Sequence, residues 1–179
     1  MIFLLIFFAV AVAALAFFWT VVRGRSRAVA DWEELPSLTE PVDLAAFRNL
    51  TDPEEDAWLR HELPRQDYLA VRRERLAATE DYLARTSRNA AILVGLGQAA
   101  MASGDPSLAN AGRQLVGTAV WTRIYTAQAL ARVRAARLFP AATAGLPQAA
   151  DQYQRLLDRV DRVGRLRSPV LASRLAASL

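Results

Sequence analysis

Between Pro64 and Pro140 the chain holds a single proline, Pro106. Proline breaks a helix interior because it lacks the amide proton and crowds the preceding turn. This stretch can therefore run as two long helices with one dictated break. Ser103-Gly104 stops the first helix, Asp105 caps the second, and Pro106 takes the first helical position, where the missing N–H is no loss. Helices over 65–102 and 106–138, joined by so short a turn, must lie antiparallel as an αα-hairpin. Each arm is roughly 50 Å long at about 1.5 Å rise per residue.

The apolar pattern supports this hairpin. In the first arm Tyr68, Leu69, Leu76, Tyr82, Leu83, Ala90, Leu93, Val94 and Met101 share one broad face at about 100° per residue. Gly95 and Gly97, the glycines inside that arm, read as points of close packing. In the second arm Leu108, Leu115, Ala119 and Val133 form one face, while Gly117, Trp121 and Ile124 lie away from it. That helix is apolar nearly all round. It is either sandwiched between bundle helices or forms an oligomer interface, with Trp121 and Ile124 as candidate interface residues.

A third helix is predicted over 147–167. Tyr153, Leu156, Leu157, Val160 and Val163 form its inward stripe. Asp151–Arg155, Asp158–Arg162 and Asp161–Arg165 read as acid-first i, i+4 pairs on a solvated outer face. Before the hairpin, residues 28–41, with two prolines and four acids, read as an extended linker. Asp52-Pro53 opens a short helix that Pro64 stops, and Ser168-Pro169 opens a short terminal one carrying Leu171, Leu175 and Leu179.

Residues 1–22 carry no charge, glycine or proline. As a helix they reach roughly 33 Å, close to the thickness of a bilayer's hydrocarbon core. Trp19 sits at the expected exit, and Arg23, Arg25 and Arg27 follow at once. With no basic side chain ahead of the run, the positive-inside rule places Met1 outside and the rest of the chain in the cytoplasm, at the plasma (inner) membrane. The competing reading is a cleaved signal peptide, with Ala14-Leu15-Ala16 as the cleavage site and an exported protein as the result. The missing basic n-region and the unbroken apolar run through Val22 count against it.

The expected fold is all-α: an antiparallel bundle of three long helices plus short flanking helices, with one N-terminal transmembrane helix. The organisation is 1–22 anchor, 23–41 juxtamembrane basic stretch and linker, and 42–179 bundle. In outline, one N-terminal anchor ahead of long helices is similar to LemA-type bacterial membrane proteins. The likeness is one of layout and implies no residue's role.

Charge is distributed unevenly. All 22 basic residues are arginine, so the sequence pI of about 10.3 reflects arginine usage and does not by itself imply nucleic-acid binding. Residues 23–30 carry +3, residues 31–67 carry −8, residues 68–139 carry +6 and residues 140–179 carry +3. From Pro106 to Ala150 there is no acid. Arg72 and Arg75 fall on the apolar face of the first arm. Folding the hairpin gathers Arg72, Arg73, Arg75, Arg132, Arg134 and Arg137 at the end where the acidic segment enters. Two readings stay open for this cluster. It pairs internally with Glu54, Glu55, Glu62 or Asp67, or it binds an external anion such as a lipid headgroup, a nucleotide phosphate or an acidic protein.

No constellation for catalysis emerges. The chain has no cysteine and one histidine, His61, with no second ligand at metal-binding spacing. Phosphate-cradling glycine loops and serine nucleophile elbows are absent from the sequence. The expectation is a non-enzyme without cofactor or metal. It is a membrane-anchored helical scaffold or interaction module with a protein partner or a second copy of itself, and it does not bind nucleic acid. The alternative is a membrane-tethered binding module for an anionic ligand at the arginine-rich hairpin end.

Overall fold

The computed structural model describes Phe8, residues 35–138, Leu146 and residues 149–167. The expected anchor apart from Phe8, its flank of Trp19, Arg23, Arg25 and Arg27, the linker up to residue 34 and the terminal helix from Ser168 lie outside the described residues. The described chain is all-helical, with no strand among those residues. In chain order the elements are α1 (Leu35–Leu38, one turn), α2 (Leu44–Thr51), α3 (Pro53–Glu62), α4 (Arg65–Met101), α5 (Pro106–Leu138) and α6 (Ala149–Arg167). Among the described residues no helix is long and apolar enough to cross a membrane.

Local chemistry sets these boundaries. Asp43 Oδ1 accepts from the amides of Ala45 and Ala46 at 2.9 and 3.0 Å, capping α2. Asp52 accepts from the Glu54 amide at 2.9 Å and Asp105 from the Ser107 amide at 2.8 Å. Each cap satisfies orphan N–H groups at a helix start, and after Asp52 and Asp105 proline takes the next position, where its missing donor is harmless.

The hairpin of α4 and α5 is the spine. Near its turn Gly97 and Gly112 bring the two backbones into direct contact. Helix α6 runs antiparallel to α5. Its Leu156, Val160 and Val163 join Leu93, Leu96 and Leu115 in one apolar cluster, while Ala149 and Ala150 join Leu83, Val133 and Ala136 in a second. Phe47 of α2 closes the second cluster and stacks on Tyr82, with centroids 5.4 Å apart and planes 7° from parallel.

Several expectations need correction. Residues 35–41 are not an extended linker: Leu35 and Thr39 are buried, and Leu35 belongs to the main cluster. The apolar face of α4 holds through Leu76, Leu83, Ala90, Leu93 and Val94, but Leu69 and Met101 are exposed. Arg72 reaches Ala136 near the end of α5, so α4 outruns its hairpin partner around Leu69, which is left 38% exposed. Of the three i, i+4 pairs expected on α6, the described residues form Asp161–Arg165 at 2.8 Å. Asp151 instead meets Arg48 of α2 at 3.6 Å, and Asp158 accepts from Gln154. A local pair worth about 0.3 kcal/mol is readily lost to a tertiary partner.

Candidate functional site

The arginine-rich hairpin end forms, but with different partners from those in the acidic segment. Glu80 of α4 accepts from Arg134 Nε at 2.9 Å and Arg137 Nη1 at 2.6 Å. These hydrogen bonds, Arg134 first, hold the Glu80 carboxyl below its ordinary 4.5 against a desolvation that pushes the other way. Arg75 Nη2 donates to the main-chain oxygens of Asn49 at 2.8 Å and Leu50 at 3.5 Å, in the last turn of α2. Arg72 Nη1 donates to the Ala136 carbonyl in the last turn of α5 at 3.4 Å. The final carbonyls of a helix have no intrahelical donor and carry the negative end of its dipole, so a guanidinium satisfies both needs. Four of the six arginines are thus engaged inside the chain. Arg73 and Arg132 are exposed and make no ion pair among the described residues.

A buried polar junction ties the entering chain to the bundle. Asn89 of α4 donates from Nδ2 to the Glu40 carbonyl and to the Tyr153 hydroxyl, both at 2.7 Å, and its Oδ1 accepts from the Glu40 amide at 2.9 Å. Burial pushes the Tyr153 hydroxyl up to about 12 despite the Asn89 bond. The Glu40 carboxylate receives Arg88 through two bonds of 2.7 Å. One asparagine therefore locks α4, α6 and the segment after α1 together.

The face expected to be sandwiched is open. Trp121 is 70% exposed, and Gly117 is exposed beside it. Ile124, the other candidate interface residue, is half-buried. Trp121 and Thr118 of α5 border a groove of about 400 Å³, with Gln152, Arg155, Asp158, Arg159 and Arg162 of α6 along the other side. Arg159 is held by Gln114 Oε1 at 2.6 Å, whereas Arg155 and Arg162 are exposed and make no ion pair among the described residues. The sequence pattern assigned this side of α6 to an internally paired solvated face, so the groove escaped notice. The sign that could have revealed it is the surplus of arginine over acid along 151–165.

Arg123 was also missed. It is 8% exposed, and its Nε has no hydrogen-bond partner among the described residues, like the hydroxyl of Thr86. Desolvation alone pulls its guanidinium below the ordinary arginine value. His61 is exposed, and the described residues hold no group of three or more His, Asp or Glu able to cage a metal.

No family model, curated protein or solved structure matches this chain.

Proposed function

We infer that this chain is a single-pass membrane-anchored helical module that works by contact, without catalysis of its own. The observation that carries the reading is Trp121. A large aromatic side chain left 70% in water on the middle of a bundle helix, bordering a groove with two unpaired arginines, is the kind of surface a partner covers. The uncharged run 1–22 supplies the tether. The anionic-ligand reading finds better support at this groove than at the hairpin end, where Glu80 and two helix termini already occupy four guanidiniums.

Oxidative footprinting of Trp121 tests it, in membranes carrying the full chain and again after purification into detergent. Protection in the membrane that is lost in detergent is the expected result, together with retention of the chain in the membrane through alkaline washing. Equal oxidation of Trp121 in both states overturns the contact reading, and release by alkali overturns the anchor.

A further inference from the structure

The geometry points to an anionic lipid surface as what covers the α5–α6 groove, so that the bundle lies down on the membrane to which it is tethered. The inference rests on the membrane-anchored reading and names the partner of that same face.

Three features carry it. The first is chemical pairing. Arg155, Arg159 and Arg162 border the groove against one carboxylate, Asp158, and that carboxylate is held by Gln154. Guanidiniums bind phosphate oxygens through paired N–H donors, and an indole beside them suits the headgroup level, where one end of the ring is apolar and the other wet. The second is charge placement. Glu54, Glu55, Asp56 and Glu62 lie on α3, which has no buried residue and makes no ion pair among the described residues. Asp56 takes the Tyr68 hydroxyl at the far end of α4 from the hairpin turn. An anionic surface attracts the groove and repels that helix, which sets which way the bundle faces. The third is reach. Twelve residues separate Val22 from Leu35, a span of at most roughly 47 Å when extended. Leu35 opens α1, which packs on α4, and Glu40 just beyond it shares Asn89 with Tyr153, so the tether joins the bundle where α4 meets α6, the helix that forms one wall of the groove.

The full chain reconstituted into vesicles tests the proposal, with lipids brominated on their acyl chains as the quencher. The four tryptophans are Trp19, Trp32, Trp58 and Trp121, so W19F/W32F/W58F leaves Trp121 as the reporter and W19F/W32F/W121F leaves Trp58 on acidic α3 as the control. Trp121 should be quenched in vesicles containing phosphatidylglycerol and not in pure phosphatidylcholine, with Trp58 unquenched in both. Each arginine near an anionic surface contributes about fivefold, so R155A/R162A should weaken the docking equilibrium by about 25-fold, and high salt should weaken it too. Trp121 quenching that is absent, that is equal with and without phosphatidylglycerol, or that is matched by Trp58 overturns the proposal. So does shielding of Trp121 from aqueous iodide without any lipid quenching, which assigns the face to a second copy of the chain. Flotation with phosphatidylcholine alone reports the anchor separately. A chain that fails to float there but shows lipid-dependent Trp121 quenching with phosphatidylglycerol loses the anchor and keeps the docking face.

Discussion

Gly97 and Gly112 face each other across the hairpin so closely that neither position has room for a β-carbon. A Cβ on Gly112 would lie 2.7 Å from the Gly97 carbonyl oxygen and 2.9 Å from Ala100 Cβ. One on Gly97 would lie 2.9 Å from the Gly112 carbonyl oxygen and 2.7 Å from Val116 Cγ2. Replacing a helical glycine by alanine gains about 1 kcal/mol in helix propensity, but overpacking costs about 1–3 kcal/mol and here the obstacles include backbone, which cannot rotate away. G97A and G112A should therefore lower the melting temperature by several degrees, read by far-UV circular dichroism. Gly117 meets nothing within 4 Å, so G117A should raise it. A G112A chain melting at or above the parent would mean that the helices cross more loosely than described.

Asn89 makes a second prediction, about rank. Removing its side chain leaves the Glu40 amide and carbonyl and the Tyr153 hydroxyl without their partner, and orphaned buried groups cost about 1–3 kcal/mol each. Y153F removes one bond and leaves Asn89 Nδ2 its bond to the Glu40 carbonyl, at a cost of about 1 kcal/mol. Urea denaturation should rank N89A as clearly the less stable of the two. Tyr153 adds an alkaline limb. Its hydroxyl, raised from 10 to about 12 by burial, stabilises the fold below the unfolded value of 10, and that contribution is lost as pH rises from 10 through 12. Y153F should flatten this limb, and equal rankings or an unchanged limb would count against the junction.

Much of the fold was legible because its signals are local. Pro106 after Asp105 marks the hairpin turn through a side-chain cap and a missing donor, and Pro53 after Asp52 does the same for α3. The destinations of the arginines were not legible. Composition counts Arg75 against nearby acids, but a guanidinium serves the last-turn carbonyls of Asn49 and Leu50 equally well, and only packing brings those carbonyls to it. Glu80 disappeared into a net-positive block although it sits beside two of that block's arginines. The groove was hidden because the i, i+4 spacing of Asp151 and Arg155 suggests a pair, while Arg48, distant in sequence, takes the aspartate and leaves Arg155 unpaired.

Glu80 makes the acid side of the stability profile testable. Its carboxyl titrates below the ordinary 4.5 when folded, so its contribution is fully present above 4.5 and is lost as pH falls from there through the lower folded value. At neutral pH E80Q should cost about 1 kcal/mol or less, because Arg134 and Arg137 are largely solvated. Below pH 4.5 the parent and E80Q curves should converge, with the remaining acid dependence owed in part to Glu40, held low first by its hydrogen bond from Arg88. Parallel curves from neutral pH down into acid would show that the pair contributes nothing.

Arg123 supplies the prediction with the least intuitive sign. Its Nε is buried without a hydrogen-bond partner, the side chain makes no ion pair among the described residues, and burial alone lowers its pKa. Burying an unpaired charge is costly, and replacing buried ionic groups by apolar ones of similar shape is often stabilising by about 1–4 kcal/mol. Methionine keeps most of the length and flexibility of the arginine stem without the charge. R123M should therefore raise the denaturation midpoint of the purified chain, while R123A, which also removes the packing of the buried stem, should gain less or lose. A marked loss of stability in R123M would mean that an anion or an acidic side chain engages Arg123 in solution, and titration of the parent with inorganic phosphate would then identify the former by a rise in its melting temperature that R123M lacks.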